Sequence, residues 1–279
     1  MKPVNGGIIE TSVIAISGSL RRKSYNTALL RHAARVAPSG MTVEPAEIGD
    51  FPLFNSDIRD EAGYPEPVAR VRRQLLEADG LLIASPEYNR SVSGVLKNAI
   101  DWLSTGGDSP LNRKPAAILG AGGRLGTAQS QGALRVALAH NDVQVLHRPE
   151  VLVVNAWTHF DEDLNLTDER VSEQVRRLLF ALDGRIRLHR SRPRAIVLAA
   201  DDAVSAGLSR LLLEAGYEVT ATSDAARATA EVETRRVTLF VCASRYVTEP
   251  MERLVAATGA TMLVADAVDG FLDRLDGIR

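Results

Sequence analysis

The sequence predicts an α/β protein: an open, doubly wound parallel sheet of strand order 2-1-3-4-5, followed by a second, smaller α/β unit. Three observations lead there. Short apolar runs alternate with amphipathic helical stretches along most of the chain. Three of the connecting loops are unusually polar or glycine-rich, and they follow the first, third and fourth apolar runs. The alternation pauses in a basic stretch, residues 185–194, and restarts beyond it.

The first apolar run, residues 13–16, reads as a buried strand. A loop carrying Ser19, Arg21, Ser24 and Asn26 follows. Residues 27–36 then place Leu29, Leu30, Ala33, Ala34 and Val36 at helical spacing. Strand, loop and helix in that order build an anion site, because N–H groups of the first helical turn have no intrahelical partner and the helix dipole favours negative charge there. Ser19 and Ser24 add hydroxyls, Asn26 an amide and Arg21 a planar fork of donors. The loop matches neither G-x-x-x-x-G-K-[ST] nor G-x-G-x-x-G. With no lysine followed by a metal-binding hydroxyl, it suits a phosphate held without Mg²⁺, as in flavin mononucleotide. An ordinary capped βα turn is the plain alternative.

A second strand is expected at 41–48, then a long polar and aromatic loop at 49–66. Pro67 opens a helix over 68–78, where its missing N–H does no harm. Residues 81–84 form a continuous apolar strand, as in a sheet covered on both faces. The loop 85–94 (Ser-Pro-Glu-Tyr-Asn-Arg-Ser-Val-Ser-Gly) leads into a helix at 95–104. A fourth strand at 116–119 feeds Gly-Ala-Gly-Gly-Arg-Leu-Gly, residues 120–126, and a helix over 127–140. A fifth strand near 151–154 and a helix over 168–182 complete this unit. In the order 2-1-3-4-5 the first, third and fourth strands are neighbours, and their C-terminal ends flank the switch point where ligands bind. The three odd loops therefore converge on one crevice.

The glycine run is not a nicotinamide-cofactor fingerprint, since its last glycine falls one position late and it follows the fourth strand. Its glycines are expected to let the backbone approach a flat ring edge, a simple turn being the alternative. Pro86 stiffens the middle loop, backbone N–H groups of Glu87 to Asn89 would face a ring edge, and Tyr88 would wall the pocket. Glu87 and Asp101 are the only carboxylates near this loop and make no acid/base pair, so Glu87 reads as a helix-terminus or interface partner. The five histidines are scattered without ligand spacing, which argues against a metal site.

Composition narrows the classes further. A net charge of −2 argues against nucleic acid or membrane as partner. Cys242, the single cysteine, sits in an apolar run, excludes an intrachain disulfide and fits a reducing compartment with an inert buried thiol. No apolar run approaches the ~20 residues of a membrane span, and the N-terminus lacks a signal-peptide layout. A cytoplasmic protein is the expectation.

Ser-Gly-Ser-Leu-Arg-x-x-Ser-x-Asn at 17–26, then Pro-Glu-Tyr-Asn-x-Ser from Pro86 and Leu-Lys-Asn-Ala-Ile-Asp-Trp from Leu96, resemble the NADPH-dependent FMN reductase family, which includes quinone, azo-dye and chromate reductases. Arg-Pro-Glu-Val from Arg148 and Phe-Asp-Glu-Asp-Leu-Asn-Leu-Thr-Asp-Glu from Phe160 extend the likeness, over about residues 10–184. The resemblance implies a flavodoxin-like fold, bound FMN, NADPH or NADH as co-substrate, a small-molecule electron acceptor, and a homodimer or homotetramer. It implies that Ser19, Leu20, Arg21, Ser24, Tyr25 and Asn26 hold the phosphate and ribityl chain. Pro86, Glu87, Tyr88 and Asn89 would line the isoalloxazine ring, and Ala121 and Gly122 would meet its other edge. The flavin then carries the chemistry and no side chain is needed as a catalyst. Two departures stand beside the ring: Ser93 where the family usually has proline, and Ala121-Gly122 where a serine is common. They bear on redox tuning and substrate preference rather than on FMN binding.

The expected domains are residues 1–186, a basic linker at 187–194, and 195–279. The division also separates charge: residues 1–194 carry 25 Lys/Arg against 22 Asp/Glu, residues 195–279 carry 8 against 13. The tail is expected as strands at 195–198, 217–220, 237–242 and 261–264, alternating with helices at 204–215, 225–234, 249–258 and 267–276. Asp201-Asp202 after its first strand resembles the acidic pair of a response-regulator receiver domain. However, Cys242-Ala-Ser stands where a phosphate-accepting aspartate should lie, and the tail contains no lysine. The resemblance is therefore to a degenerate receiver, with Asp201 or Asp202 as a helix cap. A flavin-bound redox sensor acting through this tail is the alternative to a reductase.

Overall fold

The computed structural model describes residues 10–106, 109–191, 193–234 and 237–268, with Phe271 and Leu275. The chain divides into two compact units between His189 and Arg190.

In the first unit β1 (Thr11–Ser17) lies between β2 (Met41–Ala46) and β3 (Gly80–Ala84), and β3 pairs with β4 (Pro115–Ala121), all parallel. β4 is then flanked by two short strands in succession: β5 (Gln144–Val145) beside Pro115 and Ala116, and β6 (Val151–Val153) beside Leu119 to Ala121. The expected fifth strand is thus β6, and β5 was not foreseen; two residues are too few to carry a pattern. The strands of β3 and β4 are buried throughout, as a parallel sheet covered on both faces requires.

Alternation along β1 divides the core. Val13 and Ala15 face α1 (Tyr25–Arg35) and α6 (Glu169–Arg190), while Ile14 and Ile16 face α3 (Glu66–Glu77), α4 (Gly94–Leu103) and α5 (Ala128–Ala139). The loop expected at 49–66 contains a helix, α2 (Ser56–Ala62), capped by Asn55, whose side chain accepts from the Asp57 N–H. None of its residues is buried, so it leaves no apolar period to read. Trp102 and Asn98 pin the loop by donating to the Pro52 carbonyl.

The last helix of the unit runs to Arg190, well past the expected end at 182, and takes in four residues of the expected 187–194 linker. Leu179, Leu182 and Ile186 continue its buried stripe, and Asp183 pairs with Arg187 at 2.7 Å. Arg192 lies outside the described residues.

The second unit is a four-stranded parallel sheet of order β10-β9-β7-β8, formed by β7 (Arg194–Leu198), β8 (Glu218–Thr222), β9 (Leu239–Cys242) and β10 (Thr261–Val264). α7 (Asp202–Glu214), α8 (Ala225–Thr234) and α9 (Glu249–Thr258) connect them. The helix expected at 267–276 falls largely outside the described residues. Cys242 is buried, and desolvation raises its thiol pKa to about 11. Among the described residues no helix is long and apolar enough to cross a membrane.

Candidate functional site

The strand order places the loops after β1, β3 and β4 side by side. Three side-chain ties join them pairwise. Between the first and second loops, the Ser93 hydroxyl donates to the Gly18 carbonyl at 2.7 Å while also capping α4. Between the first and third, the Asn26 amide reads both backbone groups of Ala121: Nδ2 donates to its carbonyl at 2.9 Å and Oδ1 accepts from its N–H at 3.0 Å. Between the second and third, Glu87 Oε2 accepts from the N–H groups of Gln129 and Ser130 at 2.9 and 3.1 Å. Thr127, the residue before α5, gives that helix no side-chain cap, so Glu87 supplies the cap from across the crevice.

These ties bear on several of the expected site residues. The Asn26 side chain is buried and committed to both backbone groups of Ala121, so its first role is to tie the two loops. Glu87 is committed to the N-terminus of α5, the helix-terminus role that its isolation suggested. The Tyr25 ring packs on Phe160 with centroids 5.2 Å apart. Ala121 N–H goes to Asn26 and Gly122 N–H to Val153, so neither offers a free backbone donor. The N–H groups of Gly123, Arg124 and Leu125, one step further on, have no partner among the described residues.

The glycine loop owes its composition to a residue the sequence reading passed over. Thr127 is buried and left-handed, φ 75°, which is rare for a β-branched side chain. A Cβ on Gly120 would lie 2.0 Å from Thr127 Oγ1, and one on Gly122 2.9 Å from its Cγ2. The two glycines therefore make room for Thr127. Gln131 holds the threonine in place, its Nε2 donating to Thr127 Oγ1 and the Val151 carbonyl, both at 3.1 Å.

In the middle loop, Tyr88 and Ser91 exchange both backbone hydrogen bonds, at 3.2 and 3.0 Å, across Asn89 (φ 50°) and Arg90 (φ 62°). That is a type I′ turn, and it projects a half-exposed Tyr88 beside the crevice.

The loop after β1 is the electropositive part. Ser24 caps α1 by accepting from Thr27 N–H at 3.2 Å, and Ser17 pairs with Thr27 at 2.9 Å. From Leu20 to Asn26 the backbone N–H groups have no partner among the described residues, and neither do the cations of Arg21, Arg22 and Lys23. α1 carries no acidic residue in its first turn. A run of open N–H groups at a helix N-terminus, with Arg21 beside it and two further cations in the same loop, forms a cradle whose chemistry is that of a phosphate site. Ser19 is buried behind it, and Leu20 is exposed above Gly49. Among the described residues no group of three or more His, Cys, Asp or Glu side chains is placed to hold a metal ion.

A phosphate cradle after β1, with open N–H groups and an aromatic wall on the loops beyond it, defines a flavodoxin-like protein that holds a phosphate-bearing planar cofactor at the C-terminal edge of its sheet. Within that class the chain belongs to the NADPH-dependent FMN reductase family, whose model matches residues 11–158. It is 47% identical over 174 residues to an NAD(P)H-dependent FMN reductase of Pseudomonas aeruginosa, covering 62% of this chain and 94% of that one. It is 40% identical over 181 residues to an NADPH:quinone oxidoreductase of Arabidopsis thaliana, covering 62% and 90%. Among solved structures, the flavoenzyme NAD(P)H:(acceptor) oxidoreductase FerB of Paracoccus denitrificans superposes with a TM-score of 0.59 at 32% identity, over 64% of this chain and 98% of that one. The first unit is accordingly an oxidoreductase of FMN and NAD(P)H.

Proposed function

We propose that the first unit binds FMN in the crevice and reduces small acceptors of the quinone class with electrons from NAD(P)H. The observation that carries this reading is the phosphate cradle of residues 20–26, set beside the loops after β3 and β4, the second of which carries open N–H groups at residues 123–125. The names of the relatives support quinones ahead of azo, nitro or metal-oxyanion acceptors.

The cradle N–H groups, the Ser24 hydroxyl and the Arg21 guanidinium would hold the phosphate. No metal bridge is needed, since cations and N–H groups already balance the dianion. The N–H groups of residues 123–125 and the tip of the 86–91 loop would orient the ring and polarise its edges. Tyr88 would shield one face from water. When bound, FMN supplies the redox chemistry, taking a hydride from the nicotinamide and passing electrons on to the acceptor. The three ties at Ser93, Asn26 and Glu87 act one step back by fixing the loops to one another. Exposed Leu125, Val154 and Trp157 near the third loop suit contact with a second copy in a homodimer or homotetramer.

The visible spectrum of the purified protein tests the proposal. A flavin spectrum that bleaches anaerobically with NADPH and returns with a quinone is expected. A flavin that NADPH leaves oxidised would favour a redox sensor acting through the second unit. Absence of flavin uptake from added FMN would end the assignment of the cradle.

A further inference from the structure

A cavity of about 320 Å³ lies under the phosphate loop, between α1 and the edge strand β2. Its walls come from β1, the loop after it, α1, β2 and the residues just after β2, and none comes from the loops after β3 or β4. By sheet order it lies on the far side of β1 from the ring loops, so it is not the place of the flavin ring.

Its two ends differ chemically. Buried Ala15, Leu30, Ala46 and Ile48 make the inner wall apolar. Exposed Arg21, Arg22 and Arg31 line it as well, and none of them has an ion-pair partner among the described residues. A flat apolar group with a phosphate attached fits that arrangement, and the volume is in the range of small-ligand sites. The cradle N–H groups with Arg21 balance one phosphate, which leaves Arg22 and Arg31 for a second anion.

We propose that this cavity seats the adenosine end of NADPH, with Arg22 and Arg31 holding its 2′-phosphate. The proposal rests on the reductase reading above, because it is the dinucleotide of that reaction whose far end needs a seat. From the midpoint of β3 and β4 to the midpoint of β1 and β2 is two strand spacings, about 10 Å, a span an extended dinucleotide bridges. Glu47, exposed in the lining, offers an acceptor to the adenine amino group. The arginines on this side then discriminate NADPH from NADH, since only the former carries the 2′-phosphate.

Steady-state kinetics of the FMN-loaded full-length protein with saturating quinone tests this. In Arg31→Ala and Arg22→Ala, the ratio of KM for NADPH to KM for NADH should rise about tenfold or more each, the scale of a lost charge-assisted hydrogen bond. The probe 2′,5′-ADP should compete with NADPH in the wild type and lose potency by a similar factor in both variants. In a second arm, Ala34→Phe fills the mouth of the cavity. It should raise KM for both dinucleotides relative to reduced nicotinamide mononucleotide, which lacks the adenosine end. An unchanged ratio in both arginine variants, or failure of 2′,5′-ADP to compete, would overturn the proposal while turnover with NADPH continued. Absence of turnover with any reduced nicotinamide would instead overturn the reductase reading itself.

Discussion

The two units wind their sheets alike, yet their crevices have opposite character. In the second unit the starts of α7 and α8 are closed by carboxylates. Asp201 accepts from Val204 N–H at 2.8 Å, with Asp202 beside it in the first turn of α7. Asp224 accepts from Ala226 N–H at 2.8 Å before α8, and Asp266 takes the N–H of Ser244 at 2.7 Å. In the first unit a serine caps α1, and Arg21, Arg22 and Lys23 precede it. An anion approaching α7 therefore meets two carboxylates, and one approaching α1 meets three cations and open N–H groups. Backbone strain divides the same way. Among the described residues every non-glycine with positive φ lies in the first unit, while the second uses Gly216 and Gly259. Asn89, Arg90 and Thr127 put that strain in the crevice loops themselves. The fold offers the crevice, and departures from local comfort mark where it is used.

The largest expected effect is at Gly120. A Cβ there would lie 2.0 Å from Thr127 Oγ1 and 2.6 Å from the Ser85 carbonyl, with no flexible side-chain end to yield. Gly120→Ala should destabilise the first unit by about 3 kcal/mol or more. Gly216→Ala, where φ is 92° and nothing stands within 4 Å, should cost the second unit only about 1 kcal/mol. Calorimetry of the full chain reads both; an equal loss at the two positions would remove the distinction. Asn26→Ala comes next, at about 3 kcal/mol, because it orphans two buried backbone groups of Ala121. Asp201→Ala removes only an exposed cap, about 1 kcal/mol. Denaturant unfolding checks this pair, and FMN retention should fall with Asn26 and not with Asp201.

Much of this was legible in the sequence. The strand order and the convergence of three loops followed from apolar runs and loop composition, because parallel strands buried on both faces are uninterrupted in sequence. What was not legible is which groups face the ligand. Asn26 and Glu87 are polar, near the site and in its motifs, yet they tie loops together. A residue that orders a backbone donor and a residue that is a donor look the same in one dimension. Gly120 and Gly122 also make room for Thr127, whose left-handed backbone no pattern announces. The end of α6 was missed because its arginines read as a linker, although Ile186 keeps the buried stripe going.

Acid should separate the units as well. His32 is buried with Nε2 2.9 Å from Ser172 Oγ, and burial, then the nearby Arg35 and Arg176, hold its pKa below the usual 6.5. The native form thus refuses a proton that the unfolded chain takes. Its contribution to stability is complete above pH 6.5 and is lost as pH falls from there toward the depressed value. All five histidines lie in the first unit. In the second, the backbone N–H and hydroxyl of Ser244 hold Asp266 below 3.8, so that contribution is present above pH 3.8 and is lost only as pH falls through the lowered value. Thermal melts from pH 7.5 to 5 should lower the first transition and leave the second, and His32→Gln should flatten the slope of the first. A parallel fall of both transitions would show that the acid response is not carried by His32.

The smallest effect tests whether the strain in the first unit is uncompensated. Arg90 is the second central residue of the type I′ turn at 88–91, a position that favours glycine. Its left-handed φ of 62° costs an L residue about 1 kcal/mol. Glycine removes that cost but gives the unfolded chain more freedom to lose. The balance for Arg90→Gly is a gain of about 0.5 kcal/mol, read as a slightly higher denaturation midpoint of the first unit. The second unit has no such gain to offer, because Gly216 and Gly259 already fill its left-handed positions. If Arg90→Gly instead lowers the midpoint, the guanidinium is stabilising the turn, and the strain there is offset locally rather than borne by the rest of the sheet.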